Sequence, residues 1–289
     1  AEIQSAVSIM AAHCDRPDMK IDLEELRREL SQLTQASLCD LTQIVYRRFM
    51  QIEGKAHWGD KTPVYIEILP ELARMFPGSR FIFLVRDGRD VAKSFQARRW
   101  MGRWLHNNTR EWTRAYEYYQ RWARSELRER ILQVRYEDLV LDTEDTLRRI
   151  CHFIGEEYQP QMLAWERTAD TQVLPEELSG VHRKLKLRIG PEGVARWKRE
   201  MSARETFIAE AFMGTDLKRL GYERRYPSPL WAPAFALTRL YCWTVLSGGT
   251  VLVKALMKVA RVPRKDLGTD SSRGFAERTG RRRRRSGAP

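Results

Sequence analysis

The spacing of apolar residues predicts helices in the first part of the chain. Leucines recur three or four positions apart over Leu23–Leu33, and Asp22 in front of them can cap that helix. A second helix is predicted to open at Thr62 and Pro63, because proline suits a first turn where its missing N–H costs nothing. It is expected to end at the following Pro-Gly pair. The residues before Trp58 are therefore expected to be helical, and so is the segment from Thr62 to the Pro-Gly pair.

Two short apolar runs predict β-strands. The five residues Phe81–Val85 are all apolar and stand between a Pro-Gly pair and a charged cluster, a pattern typical of a buried central strand. A second strand is predicted over Ile131–Tyr136. A helical pattern that includes Val91 and Phe95 follows the first strand. Strands that alternate with helices predict an α/β domain with a mostly parallel sheet.

Capping signals mark further helices along the chain. A long aromatic helix is predicted over about Asn108–Leu127. Asp142 can cap the next helix, and Gly155 is expected to end it. Ser202 and Glu205 have the spacing of a capping box in front of another apolar pattern.

Composition and charge divide the chain into a body and a tail. Its 289 residues, 43% of them apolar, suit one large domain with extensions. The formal net charge is +13, and residues 261–289 hold ten Lys and Arg against three acids, so the tail carries more than half of that charge. We predict an α/β domain over residues 1–225, an apolar helical segment over 226–260 and a basic, disordered tail over 261–289.

Cysteine and histidine usage argues against a disulfide framework and against a metal centre. The four cysteines are scattered without a C-x-x-C pair, and the five histidines include no H-E-x-x-H. We therefore expect no metal. The moderately basic body suits an anionic ligand such as a nucleotide.

Basic and hydroxyl side chains follow the predicted strand Phe81–Val85. Open α/β sheets bind ligands at the carboxyl ends of their strands, and Arg86 comes directly after this one. Ser94 and Arg98 are four residues apart in the predicted helix, so they share a face. Two guanidinium groups and a hydroxyl arranged in this way make a phosphate site. In the alternative interpretation, the charged cluster forms only surface ion pairs among Arg86, Asp87, Arg89 and Asp90.

A second cationic candidate is Lys61. It stands between Gly59 and the helix predicted to begin at Thr62, where a cation and free backbone N–H groups would suit an anion. The alternative is a solvated lysine in a loop. The segment is not a P-loop, since the pattern G-x-x-x-x-G-K-[ST] is absent from the chain.

Together, these motifs resemble the superfamily of sulfotransferases that use PAPS (3′-phosphoadenylyl sulfate), in the branch of bacterial and tyrosylprotein sulfotransferases. The matching motifs keep the family's order along the chain: Trp58–Pro63, Phe81–Ser94, Val134–Leu139, Phe153–Gly155, Val194–Lys198 and Leu220–Tyr222. The combination is specific, whereas any one motif alone is not. The resemblance implies a P-loop-NTPase-like sulfotransferase fold, α/β in class, whose central, mostly parallel sheet is flanked by helices.

The resemblance also implies roles for individual residues. Arg86 and Ser94 match the residues that hold the 3′-phosphate of PAPS. Arg98 and Tyr136 match further nucleotide contacts, although Tyr136 could instead be a core aromatic. Lys61 resembles the lysine that stabilises charge on the departing phosphate.

A closing loop and a reaction follow from the same resemblance. Residues Ser179–Trp197 resemble the segment that closes over nucleotide and acceptor, and Arg196 stands where a cation is expected, with a surface charge as the alternative. The implied reaction is in-line sulfuryl transfer with PAPS as co-substrate. A hydroxyl or amine attacks sulfur while 3′,5′-ADP leaves, and cations stabilise the developing charge without a metal.

One part of the family's pattern is not found in the chain. The family begins with an apolar strand and a P-R-S-G-T-[TS]-type loop for the 5′-phosphosulfate, and neither occurs before Trp58. We therefore expect a chain truncated at its N-terminus, with little or no activity by itself. The catalytic base, often on the helix after that loop, stays unassigned.

Two other functions stay open at this point. A P-loop-like nucleotide kinase or phosphotransferase would need a Walker-type loop, and the spacing of Arg86 and Ser94 argues against it. A non-catalytic nucleic-acid or membrane-surface binder would act through the basic tail, and its binding would fall steeply with salt. The body lacks an aromatic RNA-binding signature, so no specific nucleic acid is expected as a partner.

The sequence leaves the acceptor and the compartment open. A glycan, a protein tyrosine, a lipid and a small alcohol are all candidate acceptors. The charge-free stretch Leu240–Val253 is shorter than the ~20 residues that span a bilayer. It either packs on the domain or a partner, or lies on a membrane surface. Without a recognisable signal sequence, we expect a cytoplasmic protein, with the membrane surface as a further candidate partner.

Overall fold

The computed structural model describes four stretches of the chain, residues 21–32, 37–98, 104–164 and 190–246. The chain divides into two compact units, each built from two stretches. The first unit consists of Ala1–Val85 and Glu117–Glu192, and the second of Arg86–Tyr116 and Gly193–Pro289. The domain boundaries expected at 225 and 260 stay predictions, and the basic tail lies outside the described residues.

The first two helices begin at side-chain caps. Helix α1 (Leu23–Ser31) follows Asp22, whose carboxylate accepts hydrogen bonds from two backbone N–H groups of the first turn, as predicted. Helix α2 (Leu38–Glu53) opens on a capping box and closes at Gly54 in the left-handed region. Local signals therefore set both starts.

The helix predicted from Thr62 is interrupted. A 3-10 helix over Pro63–Glu67 is followed, after Ile68, by helix α3 (Leu69–Met75). Ile68 has φ −117° and ψ 24°, outside the helical region. The physical reason is Pro70, which lacks an N–H and whose ring would clash with the carbonyl four residues earlier in a continuous helix.

The two predicted strands form a parallel pair. Strand β1 (Phe81–Val85) matches its prediction, and strand β2 (Ile131–Arg135) ends one residue before the predicted Tyr136. They run in register from Phe81 opposite Ile131 to Val85 opposite Arg135. This sheet with its neighbouring helices confirms the α/β class and the parallel pairing.

Burial of β1 on both faces is not observed. Phe83 stacks on Tyr119 at 4.4 Å between ring centroids, so one face of the strand is covered. On the other face, Ile82 and Leu84 are 44% and 53% exposed. The prediction of a fully buried strand is therefore wrong for the described structure, because the helix that carries Tyr119 packs on only one side of a two-stranded sheet.

Three of the four helices described next follow their predictions closely, whereas the short helix directly after β2 was not predicted. Asp142 precedes one of them as expected but makes no side-chain capping bond, and Gly155 ends it with φ +83°. The aromatic helix lies a few residues earlier than predicted. Their bounds are α4 (Gly88–Arg98), α5 (Leu105–Trp122), α6 (Tyr136–Leu141) and α7 (Thr143–Ile154).

The C-terminal part of the second unit is helical. Short helix α8 (Trp197–Glu200) precedes α9 (Ala203–Arg219), which opens on the predicted capping box of Ser202 and Glu205. Helix α10 (Ala232–Tyr241) continues into a π-helical turn over Cys242–Leu246. Within residues 21–32, 37–98, 104–164 and 190–246, no helix is long and apolar enough to cross a membrane.

Candidate anion-binding site

Arg86, the first residue after β1, is held at three points within the second unit. Its guanidinium donates a hydrogen bond to the carbonyl of Gly193 and lies 3.7 Å from the carboxylate of Asp90. Its own carbonyl accepts a hydrogen bond of 3.0 Å from the indole N–H of Trp112. The side chain remains 21% exposed. Arg86 is thus an oriented cation that still reaches solvent.

Asp90 is the buried counterpart of Arg86. One carboxylate oxygen accepts a 2.7 Å hydrogen bond from the backbone N–H of Trp197. The other, Oδ2, has no hydrogen-bond partner among the described residues. Burial raises the pKa of this carboxyl, and the Trp197 N–H and Arg86 oppose that rise. Asp90 therefore ties the start of α8 to α4 at a cost in desolvation.

The raised pKa of Asp90 predicts a pH effect on stability. The native state holds its proton to a higher pH than the unfolded chain, in which an aspartate titrates near 3.8. The stabilising contribution is complete below that pH and is lost as the pH rises through the raised pKa. We therefore expect the free energy of unfolding of the wild type, relative to Asp90→Asn, to fall as the pH rises from about 3.8.

Urea denaturation at a series of pH values measures this difference. Asp145→Asn, which removes an exposed carboxylate from α7, serves as the matched control. A wild-type-minus-variant difference that stays constant across the acidic range would contradict the expectation.

Arg89 and its partners form a buried ion cluster. The guanidinium of Arg89 makes two hydrogen bonds to the carboxylate of Asp87, of 3.0 and 2.7 Å, and one of 2.8 Å to Glu210. It also donates to the carbonyl of Glu223 and lies 3.6 Å from the ring centroid of Trp197. Only 1% of Arg89 is exposed.

The alternative interpretation of this segment as surface ion pairs is therefore wrong. Asp87, Arg89 and Asp90 are all buried. Glu210, which completes the cluster, also accepts hydrogen bonds from the backbone N–H groups of Arg225 and Tyr226. Sequence reasoning missed Glu210, although an acid inside a run of apolar residues is a signal of a buried partner.

Helix α4 carries the other predicted phosphate ligands. It begins at Gly88, where a Cβ would lie 2.7 Å from Sδ of Met213 and 2.7 Å from the ring of Trp112, so only glycine fits. Ser94 lies in the middle of the helix and is half-buried. Arg98 is its last residue, and its side chain lies outside the described part.

Arg196 lies at the end of the predicted closing loop. Most of that loop is outside the described residues, which resume at Gly190. The guanidinium of Arg196 makes hydrogen bonds of 2.7 to 2.9 Å to Glu200, four residues later. This ion pair lowers the pKa of the Glu200 carboxyl. Arg196 is therefore engaged by a neighbour in the described structure.

Lys61 lies in the first unit, on an exposed loop. The expected helix N-terminus next to it is the five-residue 3-10 helix, and Thr62 makes no side-chain cap there. The prediction of an α-helix beginning next to Lys61 is therefore corrected to a short 3-10 helix. Nearby, Trp58 stacks on Tyr46 at 3.9 Å and anchors the loop.

Tyr136 also belongs to the first unit. It is the first residue of α6, directly after β2, and it is half-buried. A contact with nucleotide and a place in the core both stay predictions for this side chain.

Comparison with known proteins places the chain in a family. The model of the Sulfotransferase family matches residues 5–160, just over half of the 289 residues. The chain therefore belongs to the sulfotransferase family. The match contains five of the six predicted site residues, and Arg196 lies beyond its end.

One curated relative and one solved structure are similar to parts of the chain. Protein-tyrosine sulfotransferase 2 of Gallus gallus is 28% identical over 165 residues, which are 53% of this chain and 42% of the relative. The chain thus spans about two fifths of that relative's length. A sulfotransferase domain from the curacin biosynthetic pathway is 19% identical with a TM-score of 0.47, over 72% of this chain and 76% of that domain.

Proposed function

We propose that the protein transfers a sulfuryl group from PAPS to a hydroxyl or amine and releases 3′,5′-ADP. Family membership supports sulfuryl transfer over phosphoryl transfer by a kinase. The observation that carries the choice of donor is Arg86, a cation at the end of β1 that two partners orient and that solvent still reaches. A guanidinium of this kind suits a bidentate contact with a phosphate group.

The other predicted residues have complementary roles in this proposal. Ser94 and Arg98, on the helix that follows Arg86, add a hydroxyl and a second cation for the 3′-phosphate. Tyr136, a half-buried residue directly after β2, would contact the nucleotide, and Arg196 would add a further cation. The exposed ammonium of Lys61 is free of burial cost and can stabilise charge on the leaving phosphate.

The reaction forms one bond and breaks one. The acceptor oxygen or nitrogen bonds to sulfur, while the bond from sulfur to the bridging phosphate oxygen breaks and leaves its electron pair on 3′,5′-ADP. The acceptor's proton passes to a base that we leave unassigned. In-line alignment and cations at the leaving oxygen are the main requirements, as in phosphoryl transfer.

A protein tyrosine is our first candidate for the acceptor. The name of the similar chicken protein, Protein-tyrosine sulfotransferase 2, supports this choice. Glycan, lipid and small-alcohol acceptors are the alternatives, and sulfation assays with a tyrosine peptide and a simple alcohol separate them. The cytoplasmic location stays a proposal, and so does the membrane surface as a partner, which depends on the C-terminal helices.

Calorimetric titration with 3′,5′-ADP, 5′-AMP and ATP tests the donor class. We expect 3′,5′-ADP to bind at least about tenfold more tightly than 5′-AMP, because only the former has a 3′-phosphate for Arg86. Ser94→Ala is expected to weaken 3′,5′-ADP binding about fivefold and to leave 5′-AMP binding unchanged.

Thr215→Ala removes an exposed hydroxyl from α9 of the same unit and is the matched control. If either ATP or 5′-AMP binds as tightly as 3′,5′-ADP does, the proposed donor is wrong.

A further inference from the structure

Helix α10 has apolar side chains on both its inner and its outer side. Phe235, and Cys242 directly after the end of the helix, are buried on the inner side. On the outer side, Leu237, Leu240 and Tyr241 are 66%, 57% and 51% exposed. A surface helix ordinarily presents polar residues to solvent, so this apolar outer side indicates a further contact.

The exposed surface continues past the end of the helix. Trp243, in the π-helical turn, is 66% exposed. Together with Leu237, Leu240 and Tyr241 it forms what we call the docking face. The predicted stretch Leu240–Val253 is described only as far as Leu246, so its packing on the domain and its contact with a membrane both stay predictions. On the inner side of α10, Arg239 donates a 2.7 Å hydrogen bond to the carbonyl of Ala211.

The surroundings of the docking face are basic. A cavity of about 380 Å³ next to it is lined by His106, Arg110, Phe212, Arg239, Leu240 and Trp243. From Arg224 to Lys265 the sequence has no Asp or Glu. After Leu246 it has twelve Lys and Arg against three acids. Apolar side chains and positive charge thus occur together in this part of the chain.

We propose that the docking face binds the surface of a bilayer that contains anionic phospholipids. Its leucines and aromatic rings would enter the boundary between headgroups and acyl chains, and Arg110 at the cavity would meet a lipid phosphate. Charge argues against a second copy as the occupant, because each copy would bring the same basic surroundings to the interface. The exposed leucines argue against nucleic acid as the occupant, because proteins bind single strands with basic side chains and with aromatic rings that stack on the bases. The proposal is independent of the sulfuryl donor.

Vesicle co-sedimentation with the full chain tests this proposal. Vesicles of phosphatidylcholine alone are compared with vesicles of phosphatidylcholine and phosphatidylglycerol in equal parts. We expect binding to the anionic vesicles and a loss of at least about tenfold in Leu237→Ser/Leu240→Ser/Trp243→Ser. The separate variant Arg110→Gln, which leaves the apolar side chains intact, is expected to bind about fivefold more weakly.

The matched control changes three exposed apolar residues of the first unit, Leu38→Ser/Ile52→Ser/Leu141→Ser, and is expected to bind as the wild type does. Four outcomes would overturn the proposal. The docking-face variant could bind as well as the wild type, which would assign binding to the basic tail alone. Neutral vesicles could bind equally well. Light scattering could show a dimer that only the docking-face variant loses. Single-stranded DNA could bind where vesicles do not.

Discussion

Replacing Arg86 with glutamine is expected to weaken 3′,5′-ADP binding about a hundredfold and to leave 5′-AMP binding nearly unchanged. The reason is the loss of a charge-assisted contact with the 3′-phosphate, which 5′-AMP lacks. Glutamine keeps a donor for the Gly193 carbonyl, so the link that Arg86 makes within its unit can persist. Calorimetry on both nucleotides gives the ratio of their affinities, which is the quantity to compare.

The control for Arg86→Gln is Arg204→Gln. Arg204 is an exposed arginine near the start of α9 in the same unit, and its loss removes the same charge from the protein. The ratio of its affinities for 3′,5′-ADP and 5′-AMP should equal that of the wild type. If Arg86→Gln lowers the affinities for 3′,5′-ADP and 5′-AMP by the same factor, Arg86 does not contact the 3′-phosphate.

Replacing Arg89 with methionine is expected to lower the free energy of unfolding by about 3–5 kcal/mol. The substitution leaves the carboxylates of Asp87 and Glu210 buried without their cation, and the Glu223 carbonyl without a donor. Uncompensated buried charge is among the largest single costs in a folded protein, and total stabilities are only about 5–15 kcal/mol. Urea denaturation followed by circular dichroism measures the change.

An exposed arginine provides the comparison for Arg89. Arg27 pairs with Glu24 through side chains that are 53% and 78% exposed, so Arg27→Met should change stability by less than about 1 kcal/mol. Adding Asp87→Asn and Glu210→Gln to Arg89→Met should restore part of the loss, because these changes remove the unpaired charges. Equal effects at Arg27 and Arg89 would contradict the burial of the cluster.

Local signals predicted much of the fold. The cap at Asp22, the capping box at Ser202 and the glycine stop at Gly155 depend on residues a few positions apart, so the sequence states them directly. The apolar run of β1 likewise has its bounds in the chain itself. Pro70 was the exception, since its effect on the preceding turn competes with an otherwise good helical pattern.

Contacts between distant residues could not be predicted in this way. Arg89 is buried because Glu210, 121 positions later, meets it inside the second unit. An Arg and an Asp two residues apart look the same in sequence whether they lie at the surface or in a core. The exposure of Ile82 and Leu84 had a similar origin, because it depends on which face of the sheet a helix covers.

The sequence alone therefore predicted the family, which the family match confirms, and most helix boundaries, because residue type and short spacing encode these properties. The roles of Arg86, Ser94 and Lys61 stay predictions. Tertiary structure alone decided which charges are partners. It joined Arg86 to Gly193 across 107 positions and enclosed Arg89 among acids. It also left the outer side of α10 exposed. Burial and pairing depend on how segments that are distant in sequence pack together, and local sequence patterns do not predict that packing.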